Sequence, residues 1–150
     1  MRKIPRGFTL IEILVVIGII AILAAVVIIA INPARQFAQA RNSQRTSNVS
    51  TILNAIGQNL AENKGVFVCS SNTVALTNTA VHIGTGSGNA DLTCLKDKYI
   101  PSAIPTDPAQ GLEVDTQYTV ATDTTDRFIV CAPNADEAAL DHPGAYCLTR

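Results

Sequence analysis

Glu12 has the strongest claim on chemistry in this sequence, because it is the one ionisable side chain in an apolar segment that runs from Phe8 to Ile31. A carboxylate placed there either lies close enough to a membrane surface to reach water or is kept for a function, and residue types alone leave both readings open. Elsewhere the search for chemistry is mostly negative. His82 and His142 stand in separate contexts without the Ser or Cys arrangement of nucleophilic catalysis, and no Cys-x-x-Cys pair offers a zinc site. Asp107, Asp115, Asp123 and Asp126 are oxygen donors of the kind calcium takes, but their spacing is not that of an EF-hand loop. Carboxylates at turns are more often turn formers. The glycine-rich run from Gly84 to Asn89 lacks the following Lys-Ser/Thr of a phosphate loop, and Asn89 stands where a dinucleotide fingerprint needs its third glycine, so it reads as a surface loop. Asn48-Val49-Ser50 spells a glycosylation sequon inside a segment that reads as helix. No enzymatic activity and no cofactor is expected from these patterns.

The elements that must position Glu12 come first in the chain. From Ile13 to Ile31 every residue is Ile, Leu, Val, Gly or Ala. As a helix this run would be about 28 Å long at roughly 1.5 Å per residue, close to a hydrocarbon core of about 30 Å. Within it Gly18, Ala21 and Ala25 recur at spacings of three and four, a narrow face on which another helix could approach closely. Arg2, Lys3 and Arg6 precede the run in a leader too short to hold the apolar region of an ordinary secretory signal. They favour a cytoplasmic N-terminus, although Arg35, Arg41 and Arg45 follow the span at a similar distance. The 150 residues carry a net charge of -1 with the positives spread out, which argues against direct nucleic-acid binding. Four cysteines beyond a membrane span suggest disulfides in an oxidising compartment, stapling a head too small for a large core.

Arg6-Gly7-Phe8-Thr9-Leu10-Ile11-Glu12, after a basic leader and before an unbroken apolar helix, resembles the processing site of type IV prepilins and type II secretion pseudopilins. The resemblance implies cleavage by prepilin peptidase between Gly7 and Phe8, N-methylation of Phe8, and a role in assembly for Glu12. In that family the glutamate pairs with the first residue's amine on a neighbouring subunit once the helices leave the lipid and bundle as a filament core. The implied partners are further copies of the chain in a helical filament, the peptidase and an inner-membrane assembly platform. The implied route runs from a single-pass precursor in the inner membrane to an extracellular pilus or a periplasmic pseudopilus. An alternative of another class is a permanently membrane-anchored module whose head binds a ligand outside the cytoplasm.

Asn32-Pro33 marks a helix end or a kink. After it Val49, Ile52, Leu53, Ile56 and Leu60 recur at helical intervals until Asn63-Lys64-Gly65, a C-terminal signal. The reading is one long kinked helix from about 8 to about 63. It divides the chain into a leader, 1–7, a transmembrane or filament-core helix, 8–31, an amphipathic second half, 32–64, and a globular head, 65–150. In the head, 66–68, 73–76 and 80–83 are candidate strands. The segment 99–108 is proline-punctuated and extended, and it loosely resembles the loop before the last strands of many pseudopilins. The clearest β signal is a hairpin, 117–122 and 127–131, with a last edge strand at 146–148. The fold class is therefore α+β, a small antiparallel sheet laid on the amphipathic half of a long helix. Four cysteines admit three pairings; Cys69 with Cys94 and Cys131 with Cys147 are favoured because each closes a short, polar segment. The second pair would resemble the C-terminal disulfide loop of many pilins. Major pseudopilins also hold calcium near their last strands, which keeps the four aspartates in view.

Overall fold

The computed structural model describes residues 7–69 and 76–150. The chain divides into two compact units, Met1–Gln36 and Phe37–Arg150.

The first unit is built on α1, Leu10–Ala30. Its start is fixed by a capping box. The Thr9 hydroxyl accepts from the Glu12 backbone N–H (3.3 Å), while the Glu12 carboxylate accepts from the Thr9 N–H (2.8 Å) and from the Thr9 hydroxyl (2.9 Å). Leu10–Ile28 is long and apolar enough to cross a membrane. Its large side chains, among them Ile13, Ile17, Ile20 and Val27, are exposed.

The expected single helix is interrupted at Ile31 and Asn32. Ile31 is extended, and its N–H closes the last bond of α1 on the Val27 carbonyl at 3.1 Å. The second helix, α2, runs from Pro33 to Glu62. Pro33 occupies its first position, where no N–H is needed, and the Asn32 side-chain oxygen accepts from Arg35 N–H at 3.2 Å as an N-cap. Asn32-Pro33 thus starts a new helix as well as ending the old one, because proline disfavours helical backbone in the residue before it.

In the second unit α2 buries Val49, Ile52, Leu53, Ala55 and Ile56 and half-buries Leu60, whereas Phe37 stays exposed. The helix closes at Gly65, whose left-handed backbone (φ +88°) returns its N–H to the Leu60 carbonyl at 2.8 Å. Against this stripe lies a four-stranded antiparallel sheet, β1 (Val81–His82), β2 (Thr119–Thr122), β3 (Phe128–Ala132) and β4 (Tyr146–Thr149), in that spatial order. The β2–β3 hairpin sets Val120 opposite Val130, and both sink into a core shared with Ile52, Ile56, Leu95, Ile100 and Tyr118. Helix stripe and sheet face complete one apolar interior, as an α+β layer pair requires.

The strand expected at 66–68 does not form. The Asn59 side chain takes its place, donating to the Val68 carbonyl and accepting from the Val68 N–H, each at 2.9 Å. The strand expected at 73–76 falls largely outside the described residues, and Leu76 is not in a strand. The 80–83 expectation contracts to β1. The segment 99–108 contains neither helix nor strand, but it is not extended throughout: residues 99–103 turn and bend, with the Tyr99 and Ile100 N–H groups both donating to the Leu95 carbonyl at 3.0 Å. The loop 84–89 lies against the backbone of 113 and 114, with Gly86 N–H donating to the Val114 carbonyl at 2.9 Å. A Cβ at Gly84 would sit 2.4 Å from that carbonyl oxygen, so close backbone approach, not phosphate binding, accounts for the glycine.

Candidate functional site

Gly7, Phe8 and Thr9 precede the first helical residue and carry no regular structure. Phe8 is 84% exposed, and the space around Gly7 is open. The Gly7–Phe8 peptide therefore lies outside the capped helix, in backbone without regular structure. Arg2, Lys3 and Arg6 lie outside the described residues. Glu12 has its carboxylate on Thr9 of its own chain, four residues beyond the amine that cleavage would create at Phe8. Gly18, Ala21 and Ala25 are exposed on α1, available to a second helix.

The four cysteines form Cys69–Cys94 and Cys131–Cys147, with Cα atoms 5.4 Å and 4.1 Å apart. Cys131 and Cys147 are direct cross-strand partners on β3 and β4. The four aspartates are dispersed. Asp107 is buried in an ion pair with Arg45, and Asp115 sits 2.9 Å from His82 Nδ1 while accepting from Gln117 N–H. Asp123 accepts from the Thr125 and Arg127 N–H groups and pairs with the Arg127 guanidinium, while Asp126 holds a left-handed turn position. These are the roles of turn formers. Among the described residues no group of three or more His, Cys, Asp or Glu side chains is close enough to hold a metal. His142 pairs with Asp136 at 3.3 Å, away from His82 and its Asp115 partner.

One constellation has no counterpart in the sequence reading. Arg45, 2% exposed, extends from α2 and grips Asp107 through Nε (2.6 Å) and Nη2 (3.2 Å), and its Nη1 reaches Asn42 Oδ1 (2.8 Å) and Glu137 Oε1. Arg41 joins from one turn earlier, its Nε donating to Glu137 Oε1 at 2.8 Å and its Nη2 to Glu137 Oε2. Burial opposes the charge on Arg45, yet the two carboxylates outweigh it and raise the guanidinium further above its usual range. Burial likewise pushes the Asp107 carboxyl up, but Arg45 and the N–H groups of Ala109 and Gln110 hold it below its ordinary value. Hydrogen bonds from Arg41, opposed by burial and reinforced by Arg45, bring Glu137 down to about 2. The cluster ties α2 to the loop before β2 and to the loop closed by Cys131–Cys147. A signal existed in the helix phase. Ala38 and Arg45 continue the Val49, Ile52, Ile56 stripe backwards at seven and four residues, which puts the charge on the buried face. Asn48 is buried on the same face, donating to Tyr118 Oη (2.9 Å) and the Thr106 carbonyl (3.1 Å), so its amide is not presented for glycosylation.

Residues 2–31 match a family model described as the prokaryotic N-terminal methylation motif. The matched stretch contains Arg2, Lys3 and Arg6, the Gly7–Phe8 bond, Glu12 and α1, and stops before α2. No curated protein and no solved structure matches the chain.

Proposed function

We propose that this chain, which carries the N-terminal methylation motif of the type IV pilin and pseudopilin family, is a structural subunit that is cut between Gly7 and Phe8, methylated on Phe8 and assembled into a helical filament. The observation that carries the reading is the placing of Glu12. It is a carboxylate on an exposed apolar helix, bonded among the described residues to the neighbouring Thr9, one turn from the position where cleavage creates an amine. When α1 packs among copies of itself, the carboxylate enters a dry bundle, where an unpaired charge is unfavourable. The Phe8 amine of a neighbouring copy supplies the opposite charge, so Glu12 selects the stagger between subunits. The head keeps the second half of the chain folded through its own core while α1 exchanges lipid for protein contacts. A pseudopilus acting as the piston of a secretion system is the alternative use of the same subunit, supported by the loose resemblance of the sequence of 99–108 to the loop before the last strands of pseudopilins.

Membrane insertion and assembly are separable by substitution. Glu12→Ala leaves the apolar span intact, so the chain still enters the membrane fraction, while filaments sheared from the cells lose it. Equal recovery of the variant in sheared filaments would remove Glu12 from the mechanism.

A second reading is favoured by one feature of the head. A cavity of about 310 Å³ is lined by Ile83, Leu92 and Ile104 together with Asp91, Lys96 and Glu113. A permanently anchored module would use such a cavity for a small ligand. It would be indifferent to Glu12→Ala, and the same experiment separates the two readings.

A further inference from the structure

The two disulfides differ in how a thiol can reach them. Cys69 and Cys94 are both partly buried, and Cys94 packs on the apolar core. Cys131 and Cys147 lie on neighbouring antiparallel strands, and Cys147 is exposed on β4, the edge of the sheet. The register fixes the direction of approach. Phe128 and Arg150 exchange both backbone hydrogen bonds (2.9 Å each), so by alternation Val130–Leu148 and Ala132–Tyr146 are hydrogen-bonded pairs and Cys131–Cys147 is a non-hydrogen-bonded one. The disulfide therefore bridges the two strands across one face of the sheet. The row continues on the other side to Thr119 of β2, directly opposite Cys131 and 9% exposed.

Thiol–disulfide exchange needs a thiolate in line with the sulfur–sulfur bond, opposite the leaving sulfur. An approach to Cys131 along that line comes over β2 and its buried Thr119. An approach to Cys147 comes from outside the sheet edge, where no further strand is paired among the described residues. The geometry points to Cys131–Cys147 as an exchange site for an external dithiol, with Cys147 Sγ the sulfur attacked. The thiolate of the dithiol forms a mixed disulfide with Cys147, and the Cys131 sulfur leaves as a thiolate and takes up a proton. The second thiol of the same reagent then attacks its own sulfur in that mixed disulfide and releases Cys147 as a thiol. The dithiol is oxidised by two electrons and the protein disulfide is reduced by two.

The fold is built to outlast the opening. β4 keeps its ladder to β3, Tyr146 and Leu148 remain against the core, and Glu137 still holds the intervening loop to Arg41 and Arg45. Exchange at this edge thus changes covalent connectivity without dismantling the sheet, and Cys69–Cys94 is left closed.

The test uses the full chain in detergent under native conditions. It is exposed to limiting dithiothreitol and, in parallel, to reduced thioredoxin as a protein dithiol; free thiols are then alkylated and mapped by peptide mass spectrometry. Cys131 and Cys147 are expected to be alkylated at least about tenfold faster than Cys69 and Cys94, with the far-UV circular dichroism spectrum unchanged. A parallel reaction with glutathione, a monothiol, traps the first step, and the adduct is expected on Cys147. Opening of Cys69–Cys94 first or at the same rate, a glutathione adduct mainly on Cys131, or opening only together with loss of the spectrum would each overturn the assignment.

Discussion

Arg45 and Asp107, separated by 62 positions in sequence, meet in a bidentate ion pair with Nε–Oδ2 at 2.6 Å, and both side chains are almost wholly out of solvent. Glu137 adds a second carboxylate to the same guanidinium. One arginine on α2 therefore anchors two loops that the sheet alone does not hold, including the loop closed by Cys131–Cys147. Satisfying both carboxylates is what makes the buried charge tolerable.

Removing that arginine leaves Asp107 without an ionic partner in the interior. Arg45→Met is expected to destabilise the protein by about 3–5 kcal/mol, since the uncompensated charge outweighs the apolar replacement. Arg45→Met combined with Asp107→Leu should be closer to the parent than Arg45→Met alone. Chemical denaturation of the detergent-solubilised chain measures both; a double variant less stable than the single one would contradict the account.

The same cluster sets an acid limit. Glu137 is lowered from 4.5 to about 2 by Arg41 and Arg45, and Asp107 is lowered as well. A carboxyl whose folded pKa lies below its unfolded value contributes stability that is fully present above the unfolded value and is lost as pH falls towards the folded one. The melting temperature should therefore be level from neutral pH down to about 5 and fall between about 4.5 and about 2. In Glu137→Gln the fall over that window should be shallower, and an unchanged slope would remove Glu137 from the acid response.

Gly111 tests the loop that presents Asp107. A Cβ there would lie 2.2 Å from the Asp107 backbone nitrogen and 2.8 Å from Thr106 Cβ, so the turn must shift and carry Asp107 away from Arg45. Gly111→Ala is expected to destabilise by about 1–3 kcal/mol, read by thermal unfolding. A neutral result would mean that the turn moves without disturbing the ion pair.

The parts of the fold legible in the sequence are those written in local periodicity. The run from Ile13 to Ile31 announces α1, the stripe from Val49 to Leu60 announces the buried face of α2, and the alternation around Asp123–Asp126 announces the β2–β3 hairpin. The motif around Gly7, Phe8 and Glu12 is likewise a local string, and it lies within the stretch that the family model matches. What escaped the sequence is non-local. Arg45 meets Asp107 and Glu137 across 62 and 92 positions, and no short window contains that pairing. Val66–Val68 looked like a strand because its residues are apolar, but an asparagine side chain satisfies its backbone. Four cysteines admit three pairings on paper, and it is the β3–β4 register that sets Cys131 opposite Cys147. Asp107 carried the right chemistry for a cation, but its cation is a guanidinium.

The central claim is that the Gly7–Phe8 bond is cut and the remaining chain polymerised. Intact-mass measurement and N-terminal sequencing of the protein sheared from the surface of its native cells test both at once. The account predicts a chain beginning at N-methylated Phe8 in the sheared filaments. A chain still beginning at Met1, found only in the membrane fraction, would contradict it and leave the anchored module as the reading of this sequence.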